Sequence, residues 1–336
     1  MKTILVTGGA GFIGANFVPY FASKYRDYQV VNLDKLTYAG DVKNLSECAG
    51  MANYIFMQGD ICDAMLVQAV IEKYDVRGVI HFAAESHVDN SITGPRAFIE
   101  TNITGTFNLL EAARKQWMDG PRNYKTAYLD CRFHHISTDE VYGTLGDSGL
   151  FQETTPYAPN SPYSASKASS DFLVRAYHHT YGMNVTTSNC SNNYGPKQHN
   201  EKLIPTIIRK CLAEQPIPVY GKGANIRDWL YVLDHCKAID LIYHAGRAGE
   251  TYNVGGRNEK KNIEIVREIC VILDAKKPRA NGMSYSDLIS FVSDRPGHDL
   301  RYAIDATKLE IELGWKAEET FASGIIKTID WYLSRE

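Results

Sequence analysis

Residues Thr3-Ile4-Leu5-Val6-Thr7-Gly8-Gly9-Ala10-Gly11-Phe12-Ile13-Gly14 decide the fold. The apolar run at 3–7 is typical of a strand buried on both faces, and an amphipathic stretch follows it. The turn between them needs glycine, because a tight turn and close packing of helix on strand leave no room for side chains. This order of strand, turn and helix predicts that a dinucleotide pyrophosphate binds at the positive N-terminus of the helix.

An acidic residue at the end of the second apolar run supports the same interpretation. Asp34 lies 20 residues after Gly14 and closes the run 30–33. A carboxylate there accepts hydrogen bonds from a ribose hydroxyl and repels a 2′-phosphate, so the pattern favours NAD over NADP. Asp60 and Ile61 follow the third apolar run and are expected near the adenine, with a helix N-cap role for Asp60 equally open. The alternative interpretation of the glycine motif and Asp34 is a purely structural turn followed by an aspartate that caps the next segment.

The rest of the chain alternates apolar runs with amphipathic stretches, which is typical of βαβ units. We predict strands at 3–7, 29–33, 54–58, 78–82, 133–137 and 185–189, and helices at 12–24, 64–73, 95–115, 162–181, 203–212, 233–245, 263–273, 306–313 and 321–333. The predicted fold class is α/β: a Rossmann-type doubly wound parallel sheet with a smaller C-terminal α/β substrate lobe. The NAD-binding domain is expected over 1–190, with some later strands returning to it, and the lobe that binds the substrate over 191–336.

Composition narrows the function further. The 336 residues carry a formal net charge of −3, which gives no electrostatic footprint for nucleic acid or an anionic membrane. No apolar run approaches the ~20 residues that span a bilayer, and the N-terminus lacks the cleavage region of a secretory signal. The seven cysteines are dispersed without metal-ligand spacing. We therefore expect a cytoplasmic protein with no metal site, no nucleic-acid partner and no membrane partner.

A second motif predicts the catalytic base. Tyr163 and Lys167 lie four residues apart in a predicted helix that begins at Pro162, so both side chains face the same side. A nearby ammonium stabilises a phenolate, and we expect it to lower the pKa of the tyrosine towards the range of a working base. Such a base would remove a proton from a sugar hydroxyl. The alternative is a pair of exposed helix residues.

The segment Ser137-Thr138-Asp139-Glu140 closes the predicted fifth strand. Two adjacent carboxylates beside a cofactor crevice are unfavourable unless they differ in protonation, which would leave one acid and one base. Elimination of water needs that pair, because one group takes a C–H proton while the other protonates the departing hydroxyl. A solvated acidic turn is the alternative interpretation.

These motifs, with several others, resemble the dTDP-glucose 4,6-dehydratases of the extended short-chain dehydrogenase/reductase superfamily. The general marks are residues 7–14 and Tyr163-x-x-x-Lys167. The more specific marks are Asn32-Leu33-Asp34-Lys35-Leu36-Thr37-Tyr38-Ala39-Gly40, Ala83-Ala84-Glu85-Ser86-His87-Val88-Asp89, Thr138-Asp139-Glu140-Val141-Tyr142-Gly143, Asn192-Asn193-Tyr194-Gly195-Pro196, Glu201-Lys202-Leu203-Ile204-Pro205, Arg227-Asp228-Trp229-Leu230-Tyr231-Val232 and Asp294-Arg295-Pro296-Gly297-His298-Asp299. The resemblance covers essentially the whole chain.

The resemblance implies a hydro-lyase that makes a 4-keto-6-deoxy sugar nucleotide. Tyr163, supported by Lys167, would deprotonate O4 of the glucose while NAD accepts hydride from C4, with Thr138 bonding near O4. Glu140 would then remove the C5 proton and Asp139 would protonate the departing C6 hydroxyl. Hydride would return from the cofactor to C6, so that no net oxidation occurs.

The resemblance also implies the binding residues. The cofactor is expected at Gly8, Gly11, Phe12, Ile13, Gly14, Asp34, Lys35, Thr37, Asp60, Ile61, Ala83, Ala84, Tyr163 and Lys167. The nucleotide-diphosphate sugar is expected at Ser86, His87, Thr138, Asn192, Lys202, Leu203, Pro218, Tyr220, Arg227, Asn262 and His298. Arg227 and Asn262 would meet the diphosphate. Plain strand packing is the alternative for Pro218 and Tyr220, and a turn role is the alternative for His298.

One segment departs from the family pattern. Lys197-Gln198-His199-Asn200 stands where the family often has an aromatic residue and a proline, which leaves uridine or another base open beside thymidine. A dehydratase of UDP- or CDP-glucose therefore remains an alternative. A 4-epimerase would not need Asp139 and Glu140, and an NAD-sensing regulator would not need Tyr163 and Lys167. The superfamily pairs the helices at 95–115 and 162–181 across a two-fold axis, which implies a homodimer.

Overall fold

The structure is a computed structural model that describes residues 1–294 and 299–335. Its strands are β1 Lys2–Thr7, β2 Tyr28–Asp34, β3 Tyr54–Gln58, β4 Val76–His81, β5 Met118–Gly120, β6 Asn123–Tyr124, β7 Arg132–Thr138, β8 Val185–Cys190, β9 Asn192–Tyr194, β10 Ile217–Tyr220, β11 Ile226–Tyr231, β12 Thr251–Val254, β13 Glu259–Lys261 and β14 Ile289–Val292. Its α-helices are α1 Phe12–Lys24, α2 Ala64–Lys73, α3 Val88–Thr93, α4 Pro95–Phe98, α5 Thr106–Trp117, α6 Pro162–Tyr181, α7 Leu203–Leu212, α8 Val232–Ala245, α9 Asn262–Lys276, α10 Thr307–Leu313 and α11 Phe321–Leu333. Within these ranges no helix is both long enough and apolar enough to cross a bilayer.

A seven-stranded parallel sheet dominates the fold, with the strand order β12-β8-β7-β4-β1-β2-β3. The order reverses at the centre, because the chain leaves β1 for β2 on one side and later adds β4 on the other. A crevice opens beyond the carboxyl ends of β1 and β4 at this reversal, which is where doubly wound sheets bind ligands. The predicted α/β fold with a doubly wound sheet is confirmed.

Helices cover both faces of this sheet. On one face α1 and α8 bury Phe17, Phe21 and Ile239 against β1 and β2. On the other face α2, α5 and α6 pack around Leu109, Leu110 and other fully buried side chains. Each such apolar side chain contributes roughly 1.5–3 kcal/mol by leaving water. Both α8 and β12 come after residue 190, so the large sheet draws on both sides of the predicted domain boundary.

A second core forms from later elements. The strands β9, β11 and β13 make a small mixed sheet, and β10 pairs in parallel with β14. Helices α7, α9 and α11 pack around it, with Tyr194, Trp229 and Phe321 in contact near its centre. The first residues of this unit, on β9, follow directly after β8 of the large sheet, which places the second core beside the crevice.

The predicted helix at 95–115 is interrupted. Helix α4 passes into a π-helical segment, Ile99–Gly105, before α5 begins. Within that segment the Asn102 side chain accepts a hydrogen bond from the Glu85 amide and donates one to the Glu85 carbonyl. Its Nδ2 also donates to Ser166 Oγ at 2.8 Å. Wide turns of this kind are common near functional sites, and the helical periodicity does not reveal them. Helix α3 and the β5–β6 hairpin are further elements that the sequence analysis does not predict.

Candidate active site

The glycine turn after β1 is built by backbone contact. Gly8 has a φ of +73°, and a Cβ on it would lie 2.5 Å from the Ala83 nitrogen. A Cβ on Gly14 would lie 2.4 Å from the Gly8 oxygen. Both positions therefore exclude any side chain, because the clashing atoms belong to the backbone. This packing brings the loop after β4, with Ala83 and Ala84, against the turn after β1.

The first turn of α1 faces the same crevice. Its N-cap, Gly11, carries no side-chain cap, and no acidic residue occupies the first turn. The amides of Phe12 and Ile13 are thus available at the positive end of the helix, which suits an anionic group. The free amides of such an uncapped turn can donate hydrogen bonds to phosphate oxygens.

Asp34 sits at the end of β2 with both carboxylate oxygens engaged by backbone amides. Oδ2 accepts from Ala10 at 2.8 Å and Oδ1 accepts from Leu36 at 2.8 Å. The neighbouring Lys35 forms an ion pair with Asp60 at 2.7 Å. Burial alone would raise the pKa of Asp60, but hydrogen bonds from Lys35 and the Cys62 amide outweigh it and lower that pKa. These contacts fit the predicted ribose and adenine end of a dinucleotide, so the residues present fit NAD.

The carboxylate pair lies at the end of β7, where the strand passes into a 3-10 turn. Thr138 accepts the Glu140 amide at 3.3 Å and so caps this turn. Asp139 is fully buried, and its Oδ2 has no hydrogen-bond partner among the described residues. Burial, followed by the charges of Glu140 and Asp228, raises the pKa of Asp139 well above its usual range. This shift favours the protonated form of Asp139, which is the direction that the argument from adjacent carboxylates requires.

Tyr163 lies in the first turn of α6, which a reciprocal pair of hydrogen bonds between Ser161 and Ser164 caps. The side chain is buried, and it bonds Thr138. In the protein without cofactor or substrate, the expectation that Lys167 brings the pKa of Tyr163 down is wrong. Burial raises the pKa of Tyr163 well above its usual range, and the charge of Glu140 adds to the rise. The phenol of the protein without ligand is therefore protonated at neutral pH.

Lys167, one turn further along α6, is also buried. Its Nζ donates to the Ile136 carbonyl at 2.8 Å and lies 3.4 Å from His135 Nε2. Burial lowers the pKa of Lys167 to about 8, against the opposing charge of Asp171. The motif tyrosine and lysine do share one helix face, and both side chains on it are buried.

Two residues of this buried region were missed from the sequence. His135 Nε2 lies 3.1 Å from Asp171 Oδ1, and Ser137 Oγ donates to Asp171 Oδ2 at 2.8 Å. Asp171 follows Lys167 by four residues, as Lys167 follows Tyr163, so the same helical spacing was available as a signal. His135 faces inward from β7 and carries no motif that could have singled it out.

One cleft unites most of the predicted residues. Its lining includes all of the predicted cofactor residues and catalytic residues, together with Ser86, Asn192 and Lys202. Lys202 Nζ donates to the Ser86 carbonyl at 3.1 Å, so these two predicted substrate residues meet directly. His199 and Glu201, which were not predicted, also line the cleft. This continuous surface joins the dinucleotide end to the carboxylate pair.

The other predicted substrate residues do not line this cleft. They are His87, Leu203, Pro218, Tyr220, Arg227 and Asn262, while His298 lies outside the described residues. His87 instead caps α3, and Pro218 and Tyr220 lie on the solvent side of β10. The guanidinium of Arg227 donates to the carbonyls of Asp299 and Leu300 and lies 4.2 Å from the Tyr302 ring centre.

Comparisons with known proteins identify the family to which this chain belongs. Residues 5–328 match the family described as GDP-mannose 4,6 dehydratase. A dTDP-glucose 4,6-dehydratase from Xanthomonas campestris pv. campestris (strain B100) is 58% identical over 336 residues, covering 100% of this chain and 94% of that protein. The dTDP-glucose 4,6-dehydratase DesIV of Streptomyces venezuelae, solved with NAD and TYD bound, has a TM-score of 0.88 and 44% identity over 99% of this chain and 97% of its own. A UDP-glucose 4-epimerase from Thermus thermophilus with NAD has a TM-score of 0.86 but only 27% identity, with both chains fully covered.

Proposed function

The chain belongs to the dTDP-glucose 4,6-dehydratase family, and on that premise we propose how its own residues divide the reaction. The enzyme is an NAD-dependent hydro-lyase that converts dTDP-glucose to dTDP-4-keto-6-deoxyglucose. The reaction oxidises C4, removes water across C5 and C6, and reduces C6. Bound NAD supplies the hydride acceptor for C4, the hydride donor for C6 and a positive charge in the cleft.

Tyr163 takes the proton from O4 of the glucose. Its hydroxyl bonds Thr138, which holds the phenol at the sugar edge of the cleft. Lys167 supplies a fixed positive charge one helical turn away, and this charge favours the phenolate. Because burial raises the pKa of Tyr163 so strongly, the base becomes active only when the cleft is loaded.

Glu140 removes the C5 proton, which the neighbouring C4 ketone makes acidic. Asp139 then protonates the departing C6 hydroxyl. This division rests on the burial of Asp139, because burial favours the protonated carboxyl, and that form can donate a proton. The adjacent pair in the cleft beside Tyr163 is the single observation that carries the dehydratase assignment over an epimerase.

The remaining lining residues divide between cofactor and substrate. The glycine turn and the uncapped start of α1 hold the pyrophosphate, and Asp34 meets the adenosine ribose. Ser86, Asn192 and Lys202 contact the sugar nucleotide within the cleft. We assign Arg227 and Asn262 to the diphosphate, because a guanidinium and the Nδ2 amide of an asparagine can both donate hydrogen bonds to phosphate oxygens. The sugar-nucleotide lobe then comprises residues 191–336 except α8 and β12, which serve the NAD-binding sheet.

Isotope transfer tests this assignment. With dTDP-glucose deuterated at C4, the label should reappear at C6 of the product, as mass spectrometry or NMR can show. A control with UDP- and CDP-glucose tests the preference for the nucleobase, and product should form fastest from the thymidine nucleotide. Recovery of labelled galactose nucleotide would instead identify an epimerase, and loss of the label to solvent would contradict the hydride route.

We also propose a homodimer through the face formed by α4, α5, α6 and the π-helical segment. Ile99, Phe107 and Phe172 are apolar yet roughly half exposed on these adjacent helices. A second copy related by a two-fold axis would cover this face. Light scattering should give twice the chain mass, and a Phe107→Glu, Phe172→Glu double variant should give monomers. A monomeric parent protein would contradict the proposal.

The seven cysteines are all free in the structure, and six of them are buried. Free thiols of this kind suit a reducing compartment. We place the enzyme in the cytoplasm, which fractionation followed by the dehydratase assay would test.

A further inference from the structure

Helix α6 carries a third functional position beyond the tyrosine and the lysine. Asp171 lies one turn after Lys167 on the same face, and its side chain is 5% exposed. Isolated buried charges are costly, so a buried ammonium and a buried carboxylate on one helix face are expected to compensate one another.

His135 stands between the two charges. Its Nε2 lies 3.4 Å from Lys167 Nζ and 3.1 Å from Asp171 Oδ1. Burial and the charge of Lys167 hold the pKa of His135 well below its usual range, so the imidazole is neutral. A neutral ring in this place lies between the ammonium and the carboxylate without adding a third charge, and the charge of Asp171 acts on Lys167 through space.

The surroundings contain few other ionisable groups. From α6 itself Tyr163 precedes the lysine, and Asp171 follows it. The groups that face this interior from other elements are His81 on β4, His135 on β7, Cys190 on β8, and Tyr157 in the loop before α6. Burial holds the first two neutral by lowering their pKa values, and it raises the pKa of the Cys190 thiol and the Tyr157 phenol. Asp171 is thus the one carboxyl among these groups that faces Lys167. Burial raises the pKa of Asp171 to about 7, against the charge of Lys167 and the hydrogen bonds of Ser137 and Tyr157, so its negative charge is present on the alkaline side of this value.

We propose that Asp171, beside His135, is a positioning residue whose negative charge keeps the Lys167 ammonium in place beneath Tyr163. The carboxylate is in turn anchored by the Ser137 hydroxyl at the end of β7. The proposal rests on the proposed function, because it assigns a task to the lysine of that reaction. It adds a residue that is not among those lining the cleft.

The sign of the pH effect follows from the charges. Burial pushes the pKa of Lys167 down to about 8 even with Asp171 present. An Asp171→Asn substitution removes the negative charge that opposes this shift, so the pKa falls further and the lysine becomes neutral at lower pH. A neutral lysine no longer favours the Tyr163 phenolate. In the pH–rate profile of C4 oxidation, the alkaline limb should therefore move to lower pH by about one unit. At a fixed pH on the original limb, the rate should be about tenfold lower.

The direct measurement is the titration of the Lys167 ammonium by nitrogen-15 NMR in the full chain with NAD bound, assigned by comparison with Lys167→Arg. In Asp171→Asn the titration should move to lower pH by about one unit. Asp171→Glu should restore it at least in part, because it restores the charge. Ser137→Ala should shift the Lys167 titration in the same direction but by less. This variant provides the test if Asp171→Asn does not fold.

The matched control is Asp240→Asn. Asp240 is also a buried aspartate near a lysine, Lys24, but it lies on α8 outside the cleft. This variant should lose stability without moving the Lys167 titration. An unchanged Lys167 titration in both Asp171→Asn and Ser137→Ala would overturn the proposal, as would an activity loss equal at every pH. Failure of the proposed function is distinguishable, because the unmodified enzyme would then form no 4-keto product while its lysine still titrates.

Discussion

The two halves of the cleft are built in different ways. The half around the glycine turn consists of backbone amides and close backbone contacts, and Gly8 and Gly14 leave no space for a Cβ. The half beneath Tyr163 consists of buried ionisable side chains from β7 and α6 that depend on one another. Shape therefore controls the first half, whereas the balance of charge controls the second. Substitutions should reveal this difference by affecting binding and stability in one half and proton transfer in the other.

The largest effect is expected from Tyr163→Phe, which removes the base and leaves the shape of the cleft unchanged. Turnover should fall by about 10⁴-fold, the upper end for a general base, and no NADH absorbance should appear in a single turnover. Tyr177→Phe on the same helix is the control, because its hydroxyl donates to Glu111 away from the cleft. NADH accumulation in Tyr163→Phe would remove the tyrosine from its role.

The second effect separates the two chemical steps. Glu140→Gln should lower turnover by about 10²–10³-fold while C4 oxidation still proceeds. Deuterium from heavy water should then fail to enter C5, and the 4-keto-glucose nucleotide should accumulate in a rapid quench. Normal exchange at C5 would show that another group is the base.

The third prediction tests shape alone. In Gly14→Ala the new Cβ meets the Gly8 oxygen and the Gly9 Cα, so the turn must open. We expect a loss of about 1–3 kcal/mol in the free energy of unfolding, together with weaker NAD retention on gel filtration. Gly120→Ala is the control, because nothing lies within 4 Å of its Cβ position and its stability should stay nearly unchanged. Equal losses in both variants would contradict the contrast between the two halves.

The smallest effect is expected at the ribose end. Asp34→Asn keeps an oxygen that can accept one backbone amide but removes the charge. NAD affinity should fall by about 1 kcal/mol, roughly fivefold, and discrimination against NADP should weaken. Calorimetry with both cofactors measures this directly, and unchanged discrimination would remove Asp34 from its predicted role.

The same contrast explains what the sequence could predict. Gly8, Gly14 and Asp34 act through local backbone geometry, so their spacing alone placed the crevice in the sheet. Tyr163 and Lys167 were likewise found by helical spacing. Whether their pKa values rise or fall depends on desolvation by segments far away in sequence. The sequence therefore predicted a lowered pKa for Tyr163, whereas the structure raises it.

Other residues escaped for related reasons. His135 faces inward only because β7 pairs between β4 and β8, and a single strand does not show its neighbours. The π-helical turn around Asn102 depends on a bond to the loop after β4 that no local pattern encodes. The substrate residues on β10 were assigned by resemblance, and they lie away from the cleft that the structure forms.

The position of β12 at the sheet edge has a consequence during protein synthesis. When only the first 190 residues have left the ribosome, β8 has no partner on its outer side, because that partner is Thr251–Val254. Helix α8, which covers Phe17 and Phe21, has not been translated either. The nascent chain therefore presents an open strand edge and uncovered aromatic side chains until the later segment has been made. Chaperone binding to ribosome-bound chains should be strongest in this interval and should end once residue 254 emerges.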